Sequence, residues 1–146
     1  MLVGRLVFGG VALLFALINA EPASACYNQQ FVGVWENPEA AGGDIVRVEI
    51  AQDCQFDANG NWSAKAETIW KIRAWSRCRP RDCTWGRTLG RKDGSGPLTA
   101  IFETFSATRL LELDASGNHL DVRYTINYRN ARQKDVAGAV RLMRVD

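Results

Sequence analysis

Between His119 and Tyr128 the chain alternates without a break. Leu120, Val122, Tyr124, Ile126 and Tyr128 hold one parity; His119, Asp121, Arg123, Thr125 and Asn127 hold the other. Successive side chains of a strand point to opposite faces, so a period of two predicts a strand with one buried and one wet face. The same pattern recurs upstream. Val46, Val48 and Ile50 alternate with Arg47 and Glu49, and Trp70, Ile72 and Ala74 alternate with Lys71, Arg73 and Trp75. Further strands are expected at Val32–Asn37, Thr84–Thr88, Leu98–Phe105, Arg109–Leu113 and Ala137–Val145. Turn signals separate most of them: Ala41-Gly42-Gly43, Asn59-Gly60-Asn61, Asp93-Gly94-Ser95-Gly96-Pro97 and Ser116-Gly117-Asn118.

This spacing gives an all-β, antiparallel up-and-down meander of about eight strands. Eight is the number at which such a sheet closes into a small barrel, and closure removes the exposed edges of an open sheet. A two-layer β-sandwich is the alternative. With 47% hydrophobic residues in 146, the chain can bury the core of a single domain and is not a disordered segment.

The first 25 residues belong to a different class. Arg5 precedes the apolar run Leu6–Ile18, and Ala23-Ser24-Ala25 has the A-x-A form of a secretory cleavage site. We read 1–25 as a signal peptide and 26–146 as the single exported β-domain, secreted or periplasmic, with no transmembrane helix in the mature chain. In an oxidising compartment the four cysteines form an even set and read as two disulfides. Cys78 and Cys83 enclose only Arg79-Pro80-Arg81-Asp82 and are the natural pair, which leaves Cys26 with Cys54. A Cys directly after the cleavage point also resembles a bacterial lipoprotein site, in which that Cys is acylated; Ala23 stands where such sites carry Leu. A zinc site lacks ligands, because the only His is distant from the Cys pair, and no cofactor is called for.

Charge singles out one segment. Lys and Arg total 18 against 16 acids, which excludes a strongly basic or acidic tail protein, yet Lys71 to Lys92 holds eight cations and only Asp82. Lys71, Arg73, Trp75 and Arg77 share a parity opposite Trp70 and Ile72. With Arg79, Arg81 and Trp85 they are the candidate binding residues, since a row of cations with an aromatic ring among them can hold phosphate or sulfate groups and stack a sugar or base. An anionic glycan, a lipid head group or a protein partner suits the exported chain; nucleic acid does not. The competing reading is structural: a solvated strand, and a stapled hairpin with Trp85 packed beside its bridge. His119, Asp121 and Arg123 share a face, but no G-x-S-x-G nucleophile accompanies them and no enzyme is expected.

Two motifs carry family resemblances. Gly33-Val34-Trp35 resembles the G-x-W signature of the calycin barrels, the lipocalins and avidins, and Asn37 extends it to the avidin-like G-x-W-x-N. The resemblance implies a calycin-like barrel whose Asn37 points into a ligand cup, although Pro38-Glu39-Ala40-Ala41 lacks the Ser that follows in avidins. The second motif, Cys78-Arg79-Pro80-Arg81-Asp82-Cys83-Thr84-Trp85-Gly86, is similar to small secreted bacterial β-proteins carrying C-x-P-x-D-C-x-W-G. It implies export and fold and transfers no chemistry. Three readings follow: an exported non-catalytic binding protein using the basic hairpin 71–92, a calycin-type small-ligand carrier, and a secreted hydrolase inhibitor.

Overall fold

A computed structural model describes residues 28–54 and 68–145. The segment 1–25, Cys26 and the Asn59-Gly60-Asn61 turn lie outside them. After one 3-10 turn, Gln29–Phe31, the described chain forms β1 (Gly33–Glu36), β2 (Ile45–Asp53), β3 (Ile69–Ser76), β4 (Cys83–Lys92), β5 (Leu98–Glu103), β6 (Ala107–Ser116), β7 (His119–Tyr128) and β8 (Val136–Arg144). Each strand pairs antiparallel with the next, and β8 returns to β1, closing an eight-stranded up-and-down barrel.

The alternation read from the sequence sets the sidedness. On β7, Leu120, Val122 and Ile126 are buried, whereas Arg123 and Asn127 are exposed. β6 and β7 pair over their full length, from Ala107 opposite Tyr128 to Ser116 opposite His119. Their two-residue link begins with Gly117 at φ 58°, a turn position that suits glycine because it has no Cβ.

Side chains fill the barrel axis. Trp35, Ile45, Ile72, Leu98, Leu111, Leu113, Leu120 and Leu142 are wholly buried. At one end Phe31 from the 3-10 turn packs edge-on against Trp70, their centroids 5.8 Å apart. Toward the other end Trp85 meets Phe102 in the same geometry at 5.8 Å. An interior of eight strands is just wide enough for such filling.

Trp85 departs from its expected place on the binding face. Trp75 pairs with Thr84 and Ala74 with Gly86, so Trp85 is the extra residue of a bulge. Strict alternation from Arg87 would turn its ring outward; the bulge breaks the period and turns it in. Gly86, at φ 92°, permits the bend. Trp85 is buried, and its Nε1 donates to Ser76 Oγ at 3.1 Å. It is a core residue.

Candidate functional site

The outer wall of β1 to β4 gathers the first group of candidates. Register places Glu36, Arg47, Trp75 and Thr84 in one row across the strands, and Val34, Glu49, Arg73 and Arg87 in the next. A third row holds Ala51, Lys71 and Leu89. Between the rows lies a groove of about 450 Å³ with an apolar floor of Val32, Val34 and Ala51, edged by Glu49, Lys71, Arg73 and Arg87.

Most cations here already have acidic partners. Glu49 takes Arg47 at 2.5 Å on one oxygen and Arg73 at 3.3 Å on the other, while Arg47 also reaches Glu36 at 3.3 Å. Lys71 pairs with Asp53. The Trp75 ring lies within reach of both guanidinium carbons, 4.7 Å from Arg73 and 5.4 Å from Arg47. Trp75 therefore holds two arginines in place by cation–π attraction instead of offering a bare stacking platform. Farther along, Arg91 pairs with Asp93, and Lys92 donates to the Gly94 and Gly96 carbonyls. Among the described residues Arg87 has no ion pair.

The second group lies at the barrel end. Cys78 and Cys83 form the expected disulfide, with Cα atoms 5.5 Å apart. Arg77 pairs with Asp82 at 3.2 Å, and its backbone continues the ladder, N–H to Asp44 O at 2.8 Å and O from Gly43 N–H at 2.9 Å. Arg79 and Arg81 are exposed at the tip, and the Arg79–Pro80 peptide is cis. Arg77 and Arg79 edge a cleft of about 410 Å³ against Pro38 and Ala40–Gly42. Cys54 is also disulfide-bonded; its expected partner, Cys26, lies outside the described residues.

Asn37 caps the end of β1. Its Oδ1 accepts the Glu39 N–H at 3.1 Å, and its carbonyl accepts Ala40 N–H at 3.2 Å, so the side chain shapes the β1–β2 loop. The structure thus divides the candidates among a wall (Lys71, Arg73, Trp75), an end (Arg77, Arg79, Arg81), a loop (Asn37) and the core (Trp85). Arg47, Glu49 and Arg87 complete the wall. Their membership follows from cross-strand register, which composition along one strand does not carry.

The outer face of β7 is tied across strands. Asp121 accepts from Arg141 Nε at 2.6 Å and Nη2 at 2.9 Å, and this bond holds its carboxyl below the ordinary value of 3.8. Arg123 pairs with Glu112 at 3.2 Å. Inside, burial and then the charge of Asp44 push the Tyr124 phenol above 10.0. The Tyr124 ring lies over Gly138, where a Cβ would stand 2.5 Å from its hydroxyl. No family model, curated protein or solved structure matches this chain.

Proposed function

We propose that this chain is an exported, non-catalytic binding protein, secreted or periplasmic, whose β2–β3–β4 wall takes an anionic glycan. One observation carries the reading: Arg87, with no carboxylate partner among the described residues, stands with Arg73 and Lys71 around a groove whose floor is apolar. A guanidinium offers a planar fork to a sugar carboxylate or sulfate, and the apolar floor suits the C–H face of a sugar ring. Arg73, held by Trp75 and Glu49, loses little freedom on binding. Aromatic and aliphatic side chains fill the axis, so we place the ligand outside the barrel. The G-x-W-x-N and C-x-P-x-D-C-x-W-G motifs support kinship with small secreted β-proteins.

The test is titration calorimetry with sulfated and uronic-acid oligosaccharides, using protein recovered after export and sized by intact mass. An Arg73→Ser/Arg87→Ser double variant should bind about tenfold or more weakly, because hydrogen bonds to charged groups contribute about 1.5–3 kcal/mol each before solvent screening. Neutral oligosaccharides should bind neither protein. Equal binding of the acidic sugars by parent and variant in low salt would sink the reading.

A further inference from the structure

Beyond Arg87 the barrel wall opens. β4 and β5 are in register only at Lys92–Leu98, Arg91–Thr99 and Gly90–Ala100. From Gly90 back to Cys83, β4 pairs with β3 alone, and from Ala100 on to Glu103, β5 pairs with β6 alone. The cause lies in β4. A bulge bends its strand and interrupts pairing, and the one at Trp85–Gly86 turns the Trp85 ring inward against Phe102. The Thr88 hydroxyl still reaches across, donating to Ile101 O at 2.7 Å. Between the parted strands lies a cleft of about 640 Å³, lined by residues 85–88 of β4 and 101–103 of β5.

Opposite charges stand on the two lips of this cleft. Carrying the register on from Gly90–Ala100 sets Leu89 against Ile101 and Arg87 against Glu103, all four exposed. In an unbroken ladder an arginine and a glutamate so placed would pair. The parting holds them apart, and among the described residues neither has an ion pair. The cations nearest to them are engaged elsewhere. Arg73 is tied to Glu49, Arg91 to Asp93, and Arg109 lies 5.2 Å from the Trp85 ring while donating to Thr104 Oγ1. Arg129 donates Nε to Thr104 O. Arg87 also edges the apolar-floored groove of the wall. One guanidinium thus stands between two hollows, and Glu103 marks the far side of the second.

We propose that the ligand of the wall is a glycan in which an acidic sugar is followed by an amino sugar with a free amine. The acid meets Arg73 and Arg87, and the ammonium enters the cleft toward Glu103. This ligand class rests on the anionic-glycan reading of the wall and narrows it. A ligand bearing acids alone would bring negative charge against an unpaired carboxylate, whereas one bearing both signs in sequence satisfies both lips. The cleft also suits a polar unit. Strand edges that have left their ladder turn main-chain N–H and C=O groups toward it, and sugar hydroxyls can meet them.

The experiment is titration calorimetry in low salt with two tetrasaccharides of alternating glucuronic acid and glucosamine, one with free amines and one with the amines acetylated. A site of cations alone would prefer the acetylated form, which carries the greater net negative charge. The parent should instead bind the free-amine form about fivefold more tightly, the effect of one exposed charge-assisted hydrogen bond. Glu103→Gln should abolish that preference while binding the acetylated form at least as well as the parent, and Glu103→Lys should reverse it. Both variants should melt with the parent, since Glu103 is exposed and unpaired. Arg73→Ser/Arg87→Ser should weaken binding of both sugars. Equal or weaker binding of the free-amine form by the parent, or a preference that survives Glu103→Gln, overturns the inference and leaves acid binding on the wall intact. Binding of neither form by the parent overturns the anionic-glycan reading along with it.

Discussion

Arg144 closes the barrel where its pairing is shortest. Only Trp35 with Arg144 and Glu36 with Met143 are in register between β1 and β8. The Arg144 guanidinium lies 4.3 Å from the Trp35 ring centroid. Its Nη1 donates to Val32 O and its Nη2 to Gln30 O, each at 2.7 Å. Trp35 Nε1 in turn donates to Phe31 O at 2.9 Å. One side chain thus ties the last strand, the first strand and the 3-10 turn that covers this end. Arg144→Met keeps an unbranched apolar stem and removes the fork. Hydrogen bonds from a charged donor contribute about 1.5–3 kcal/mol each, and we take about 1 for each here because Gln30 is exposed. A cation over a buried indole adds about 1 kcal/mol. The expected loss is about 3 kcal/mol, or about 10 °C in Tm for a domain of this size. Guanidinium denaturation followed by tryptophan fluorescence measures it as a lower midpoint at unchanged m. Arg144→Lys should recover at most about half, since one ammonium cannot span two carbonyls as a fork does. A loss under about 1 kcal/mol, or full rescue by Lys, refutes the stapling argument.

Two further outcomes follow from the packing and the titrating groups. A Cβ on Gly90 would stand 2.5 Å from Ile72 Cδ1 and 3.1 Å from Trp70 Cβ, so Gly90→Ala should cost about 1–3 kcal/mol by overpacking. Adding Ile72→Val removes the clashing methyl and should recover part of that loss; strictly additive denaturation midpoints would contradict the cause assigned. Asp121 has a lowered pKa because of Arg141, so its contribution to stability is present above the ordinary aspartate value and is lost as pH falls through the folded value. The stability gap between parent and Arg141→Gln should therefore close on acidification below about pH 4, and a gap that widens there would reverse the sign.

The residues themselves show how far the sequence could be read. β7 begins and ends at the residues its alternation predicts, His119 and Tyr128, because every inward position is apolar or aromatic. β4 runs to Lys92, beyond the expected Thr88, and its pattern there is inverted. Leu89 is 65% exposed, whereas Gly90 faces Trp70 and Ile72. Where two large side chains already fill the interior, the third strand can contribute only hydrogen, and no apolar period survives. Alternation along β4 does not show the inward turn of Trp85 for a related reason: a bulge is a property of two strands, invisible in one. Phe105 reads as the end of a strand, yet β5 stops at Glu103 because the Thr104 hydroxyl turns the chain.

The basic segment makes the same point about charge. Along the chain, Lys71 to Lys92 is a dense run of cations, but β2 returns Glu49 and Asp53 beside it. Ion pairs on an exposed wall contribute little stability, each up to about 1 kcal/mol. Their larger effect is to fix where positive charge remains. In this segment it remains at Arg87 on the wall, at Lys92 beside Phe31, and at Arg79 and Arg81 on the tip. From Arg73 to Arg77 the strand advances about 13 Å, too far for one small anion to bridge wall and tip. Among the described residues buried side chains occupy the axis, so the binding proposed above rests on the outward cations that their neighbours leave unpaired. Arg87 and the tip arginines face different directions, so a single small anion meets one set or the other.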